Sequence, residues 1–385
     1  MLQSFVKGMV VMEKSKVFFT DMRALPGTSL PQKLQKLMRR AGIADIDLDR
    51  KITAIKMHFG EPGNLSYLRP NYAKAVADLI KELGGRPFLT DCNTLYVGRR
   101  KDALEHLSAA YENGFGVLST GCHVIIGDGL KGTDDVYVPV HGGELVKEAK
   151  IGKAIMDADV FISLSHFKGH EMAGFGGAIK NIGMGCGSRA GKMEMHRSGK
   201  PSVDKEKCVG CGACARNCAH GAIRFDEQRH AGIDHERCVG CGRCLGACNF
   251  DAVYNSNDSA VKEMNMKMAE YTKAVLDGRP HFHVSLAIEI SPYCDCHPEN
   301  DTPILPNIGM FASFDPVALD QACVDACNAA APLAGSLLDE HMHDAHFHDH
   351  HDHFRNTTPE SEWQTCLEHA EKIGVGIRAY ELIRI

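Results

Sequence analysis

The chain has 385 residues, 44% hydrophobic and 24% charged, with a formal net charge of −6. That is the composition of a globular protein longer than one average domain. It argues against a nucleic-acid surface, which carries a clustered basic excess, and no stretch approaches the roughly 18 to 20 apolar residues that span a bilayer.

The opening, MLQSFVKGMVVMEKSKVFFTD, has an apolar flavour but lacks the apolar core and small-residue cleavage site of a secretory leader. Met12, just before the first strand, is an equally good start. The chain therefore reads as cytoplasmic, with no membrane and no nucleic acid among its partners. Apolar strand-like runs then alternate with amphipathic runs. KVFFTD (16–21) is a strand, followed by a helix around SLPQKLQKLMRRAG; KITAIKMHFG (51–60) is a strand, followed by the helix RPNYAKAVADLIKELGG with its Gly-Gly stop. RPFLTDCN, KDALEHLSAAYENG, HVIIGDG and the buried strand ADVFISLSHFKGH continue the alternation. The run Arg99–Arg100–Lys101 reads as a solvated helix start. Strands alternating with helices imply a largely parallel sheet with helices on both faces.

In such sheets ligands gather at the carboxyl ends of the strands, and the polar strand endings mark a site. They supply Lys56, His58, Glu61 and Asn64; Asp91, Cys92 and Asn93; Asp128 and Lys131; then the stretch Ser165–His196. That stretch has eight glycines in 32 residues, with His166, Lys168, His170, Glu171, Lys180, Asn181, Cys186, Arg189, Lys192 and His196 among them. Gly174, Gly176, Gly177 and Asn181 form a candidate cradle, since glycine lets main-chain amides approach an anion or cofactor. A purely structural Gly-rich loop accounts for the same residues. The order GFGGAIKN matches neither the dinucleotide fingerprint nor the P-loop.

Next comes a duplicated cysteine run, C-x2-C-x2-C-x3-C: Cys208, Cys211, Cys214, Cys218, then Cys238, Cys241, Cys244, Cys248. Eight of the chain's sixteen cysteines sit here, and without an export signal they read as reduced ligands rather than disulfides. Three thiolates at i, i+3 and i+6 suit three corners of a cubane, and the fourth of each run reaches the other cluster. One [4Fe–4S] cluster is then held by Cys208, Cys211, Cys214 and Cys248, and a second by Cys238, Cys241, Cys244 and Cys218. Zinc sites need a longer spacer between cysteine pairs. The segment resembles the two-cluster bacterial-type ferredoxin domain over roughly 202–255, except that Ala219 and Asn249 stand where that family has proline.

The core pattern then resumes with a helix near 259–276, strands HVSLAIEIS and NIGMFASFD, and closing helices near 316–330 and 359–373. YCDCHPEND supplies Cys294, Cys296 and His297. Cysteines two apart in extended chain share a face, so with Cys186 or another histidine they could hold zinc, nickel or iron; two buried free cysteines are the alternative. Cys323, Cys327 and Cys366 fall on helices as core packing. HMHDAHFHDHHDHF (341–354) interleaves seven histidines with three aspartates, either a metal-ligand run or a solvated loop.

The expected fold is α/β: a largely parallel sheet core covered by helices on both faces and interrupted by an inserted α+β ferredoxin module. The expected divisions are 1–200, 201–256 and 257–385, the last with a His-rich loop at 341–353. A linear three-domain arrangement is the alternative. The strings HFGEPGNLSYLRPNY, TDCNTLYVGRR, LSHFKGHEMAGFGGAIKNIGMGCGSRAGKMEMH and YCDCHPENDTPI resemble the iron–sulfur family catalogued as domain of unknown function 362, in the branch with an embedded ferredoxin. A weaker similarity is to the amino-terminal domain of nickel-pincer lactate racemase. It implies Lys180 as a cofactor lysine and His58, His166 or His170 as acid/base or metal ligand.

The expected function is a redox enzyme or electron-delivering subunit. Its two clusters pass electrons to or from the core, where His166, His170 or Lys180 supplies protons. A redox protein or a small molecule is the partner. A non-catalytic carrier and a metal-handling protein are the alternatives.

Overall fold

Residues 52–56 show why this chain builds a sheet buried on both sides. Neighbouring side chains of a strand point to opposite faces, yet Ala54 and Ile55 are both fully buried and belong to different hydrophobic clusters. Phe161 and Ile162, and Met310 and Phe311, divide in the same way. Such runs are continuous rather than alternating in polarity, the mark of a sheet with helices on both sides.

The computed structural model describes residues 14–94, 98–196, 200–238, 244, 248, 250, 252–255 and 258–385. Its strands are β1 (Ser15–Thr20), β2 (Ile52–Lys56), β3 (Arg86–Asp91), β4 (Val124–Ile126), β5 (Asp135–Pro139), β6 (Glu148–Gly152), β7 (Val160–His166), β8 (Lys168–His170) and β9 (Gly174–Gly176). They continue with β10 (Pro201–Val203), β11 (Ile223–Phe225), β12 (Ala231–Ile233), β13 (Val253–Asn255), β14 (His281–Ala287), β15 (Gly309–Ser313) and β16 (Tyr380–Arg384). The main sheet has eight strands in the order β16-β1-β15-β14-β7-β2-β3-β4. Only β15 runs against its neighbours; the other pairings are parallel. The fold is therefore α/β, mixed but mostly parallel.

Helices Leu30–Arg40, Pro70–Glu82 and Ala103–Glu112 cover one face. Helices Ala178–Cys186, Asp258–Leu276, Pro316–Asn328 and Gln364–Lys372 cover the other. Sequence signals set several ends: Ser29 and Gln32 form a capping box at Leu30, and Asp102 and Asp315 cap the helices that follow them.

The chain leaves the sheet after β7 and returns at β14, directly beside β7 and parallel to it. Between them, β10 pairs with β13 and β11 with β12 as two small antiparallel sheets. Residues beyond 257 add β14, β15 and β16 to the same sheet.

Several expectations change. Helix does not end the chain: β16 does, pairing with β1. The last helix begins at Gln364 rather than near 359. The glycine-rich stretch 165–196 is not one loop but the β8–β9 hairpin followed by helices Ala178–Cys186 and Arg189–His196. Its glycines serve close packing. A Cβ on Gly183 would collide with the Met268 carbonyl of the Asp258–Leu276 helix, and one on Gly191 would crowd the Lys150 carbonyl and Tyr271. Met12 and Cys241 lie outside the described residues.

Candidate functional site

Lys56, Asp91 and His166 are the last residues of β2, β3 and β7, three adjacent parallel strands. The carboxyl ends of these strands open into a cavity, where ligands bind in open parallel sheets. The Ala178–Cys186 helix forms another wall and supplies Lys180 and Asn181. Asp320, buried on the Pro316–Asn328 helix, fixes that helix by accepting from the Ala178 and Ile179 amides at 2.7 and 2.9 Å.

The cavity walls are cationic. Lys56, Arg100, Lys168, Lys180 and Lys192 line it, with Asp91 the single carboxylate of the lining. Lys56, 1% exposed, pairs with Asp91 at 3.0 Å and donates to Asn181 Oδ1 at 2.8 Å. Arg100, also 1% exposed, pairs with Glu61 at 2.7 Å and donates from Nη1 to His58 Nε2 at 2.7 Å. Lys168 lies 3.4 Å from Asp295. Charges this deep persist only when paired, because desolvation otherwise outweighs any gain. Burial, reinforced by Arg100, holds the His58 ring well below its usual range. Burial likewise pushes His196 down to about 4, with Lys180 and Lys192 adding to it.

Beside Lys180 stands a cysteine turn. The His297 amide donates to the Cys294 carbonyl at 3.0 Å, so 294–297 is a turn and not the extended chain expected. The thiols still converge: ligand atoms of His170, Cys294 and Cys296 lie within 4.8 Å of one another, as do those of Glu171, Cys296 and His297. Lys180 Nζ donates to Cys294 Sγ at 3.4 Å. The hydrogen bond between the thiols lowers Cys296 and raises Cys294, and Lys180 further favours the Cys296 thiolate. Burial works against the Lys180 ammonium, but the two sulfurs raise its pKa on balance. Hydrogen bonds from Glu61 N to the Asp295 carbonyl, and from Asn64 Nδ2 to the His297 carbonyl, tie the turn to the loop after β2.

The expected site residues fare unequally. Lys180, Asn181, Gly176 and Gly177 line the cavity with Cys294 and Cys296. Gly174 does not: it packs against Trp363. His166 reaches the lining, but its Nδ1 faces Asp295 at 2.9 Å and its Nε2 faces the Ile288 carbonyl at 2.7 Å. Both ring nitrogens are thus engaged within the protein. His170 Nδ1 accepts from the Met172 and Ala173 amides, each at 3.0 Å. Its neutral ring therefore carries the proton at Nε2, which disfavours metal ligation there. His297 Nε2 instead meets Glu171 Oε1 at 2.8 Å. Cys186 belongs to neither of these ligand groups.

Arg100 overturns an expectation. Arg99 is indeed partly solvated and pairs with Glu105 and Glu112, but Arg100 points inward. A basic triplet hides such a residue; the signal is the acid Glu61 in HFGEPGN, itself buried.

In the segment between β7 and β14 a second cavity is lined by Cys208, Cys211 and Cys214 of the first run and Cys248 of the second. The Cys208 and Cys218 sulfurs accept from the Ala231 and Ala222 amides at 3.3 and 3.4 Å. Burial raises the Cys214 thiol, and Cys248, Cys208 and Cys211 add to it. Cys244 is buried in the same small cluster, and Cys238 is half-buried.

The histidine run is folded. Helices Leu337–Met342 and His353–Thr357 bracket it, and its histidines bond backbone carbonyls, as His341 does to Asn356 and His353 to Ala330. Among the described residues it contains no group of three ligand atoms within 4.8 Å of one another. It faces Asp204 and Tyr254 of the cysteine-rich segment across an open cleft.

These features define an α/β protein with a cationic cavity at its strand ends and a cysteine-rich segment between two neighbouring strands. The chain belongs to the family described as Domain of unknown function (DUF362), whose profile matches residues 53–325. It is 28% identical over 131 residues to the thylakoid-associated protein sll1697 of Synechocystis sp., covering 32% of this chain and 35% of that protein. The chain thus spans about a third of the length of that relative. Two solved structures are similar at 12% identity. One is a Thermotoga maritima protein, with a TM-score of 0.40 and coverage of 77% of this chain and 57% of that one. The other is the lactate racemase apoprotein of Thermoanaerobacterium thermosaccharolyticum, with a TM-score of 0.33 and coverage of 71% and 51%. Likeness of that degree fixes no residue correspondence. No helix among the described residues is long and apolar enough to cross a membrane.

Proposed function

We propose that this is an iron–sulfur protein holding two [4Fe–4S] clusters in a bacterial-type ferredoxin segment and exchanging low-potential electrons with a ligand in the cationic cavity of its core. The observation that carries the reading is the cavity shared by Cys208, Cys211, Cys214 and Cys248. Cross-run pairing of this kind is what two cubane clusters require of duplicated runs. Cysteine sulfurs accepting backbone amides, as Cys208 and Cys218 do, suit thiolates bound to a cluster. Cys238, Cys241, Cys244 and Cys218 would hold the second cluster. When bound, the clusters supply single-electron transfer at potentials set by hydrogen bonding and exposure.

On this reading 201–256 is the electron-carrying module and 1–200 with 257–385 the core that binds the electron donor or acceptor. The partner is a small molecule or a redox protein, and the setting is the cytoplasm. Lys180, which donates to Cys294 Sγ at 3.4 Å, is the core's proton-bearing group on this reading. The test is iron and acid-labile sulfide in anaerobically purified protein: about eight of each per chain, falling to about four in Cys248→Ala. An unchanged count in Cys248→Ala would remove Cys248 as a ligand, and loss of nearly all iron in Cys208→Ala with Cys248→Ala, rather than about four, would remove the cross-run assignment.

A second reading rests on the cysteine turn. Glu171, Cys296 and His297, with Cys294 beside them, offer a donor set suited to zinc, nickel or iron. A ninth metal atom per chain that is lost in Cys296→Ser but kept in Cys248→Ala would place it there.

A further inference from the structure

Three of the cavity's five cations have carboxylate partners: Lys56 has Asp91, Arg100 has Glu61, and Lys168 has Asp295. Lys180 and Lys192 form no ion pair with a carboxylate among the described residues. Lys180 donates to the Cys294 sulfur, with Cys296 and Glu171 acting on it at longer range. Lys192, 5% exposed, donates to the Gly187 carbonyl and to no other group in the hydrogen bonds described. Arg100 Nη2 is fully buried and makes no hydrogen bond at all among the described residues.

A buried ammonium without an ion-pair partner and a buried guanidinium N–H without an acceptor are both costly. Glycine maintains the arrangement: a Cβ on Gly185 would collide with Lys56 Nζ, and one on Gly176 would press on Lys168. The backbone thus makes room for cations that a packing core would exclude. The cavity measures about 60 Å3, room for several waters at the roughly 10–15 Å3 each needs, which suits a compact charged group.

We propose that this cavity binds an oxyanion, the phosphate or carboxylate group of a small ligand, between Lys192, Lys180 and the free Nη2 of Arg100. The inference rests on the core being the ligand site of the function proposed above, and it names that ligand's chemical class. The anion gives the two lysines the close carboxylate-like partner they lack and satisfies the guanidinium, which can offer planar N–H donors to an oxyanion. Cys294 and Cys296 line the same cavity beside it.

The test uses the anaerobically purified full chain and two probes, inorganic phosphate and acetate, with chloride at matched ionic strength as the control. Thermal midpoint is followed against probe concentration, and iron and sulfide are counted on the same samples. The expected result is a saturable rise with at least one probe beyond the chloride control. Lys192→Met and Lys180→Met should each weaken it about tenfold or more, the loss of one charge-assisted hydrogen bond, with iron content unchanged. If Lys192→Met does not fold, Lys180→Met decides alone. No rise beyond chloride with either probe, or equal affinity in the folded variants, overturns the inference. Such a failure with about eight irons present leaves the cluster reading standing; anion binding in a chain without iron does the reverse.

Discussion

Asp320 offers a test of how the site is built, because one carboxylate starts the helix that carries Lys180 and Asn181. It is fully buried and accepts two backbone amides, and burial nonetheless raises its pKa from 3.8 to about 7. A carboxyl whose native pKa is raised holds its proton more tightly folded than unfolded. Its contribution to stability is therefore present at acid pH and is lost as pH rises from near 4 through about 7. At about 1.4 kcal/mol per pH unit, the loss between about pH 5.5 and about pH 8 is roughly 2 kcal/mol. Asp320→Asn keeps the shape, cannot ionise, and should escape that loss. Urea unfolding followed by fluorescence of Trp363, the single tryptophan, compares the two proteins at both pH values. All other titrations cancel in the difference. The variant should gain about 2 kcal/mol on wild type between the acid and alkaline conditions. A gap that stays constant would mean that Asp320 is ionised throughout, its charge fully met by the helix amides.

Arg100→Met should cost about 3–5 kcal/mol by stranding buried Glu61, and adding Glu61→Leu should recover much of it; unfolding midpoints of the single and double variants check this. Gly183→Ala places a methyl against the Met268 carbonyl and should cost about 1–3 kcal/mol, read in the same assay. Replacing His346, His348 and His350 together by Asn should leave iron and sulfide counts unchanged, since the run assembles no ligand triad among the described residues.

Much of the site is legible in the sequence because strands end where apolar runs end: Lys56, Asp91 and His166 each follow such a run and each reaches the cavity. The cysteine runs are legible in their spacing, and the structure brings Cys208, Cys211, Cys214 and Cys248 around one cavity. The Ala178–Cys186 helix is obscured by Gly183 and Gly185, which lower helix propensity, yet tertiary packing demands them: a larger residue would meet Met268 or Lys56. Arg100 is obscured because one-dimensional charge runs cannot show that its carboxylate, thirty-nine positions earlier, is buried beside it. The roles of His166 and His170 depend on what their ring nitrogens touch, and those partners, Asp295 and two backbone amides, follow from the tertiary fold rather than from local spacing.

The central claim is the pair of clusters. Iron and acid-labile sulfide should be counted on anaerobically purified wild-type protein. The account predicts about eight of each per chain. Zinc bound at the cysteine runs, with neither iron nor sulfide, would contradict it.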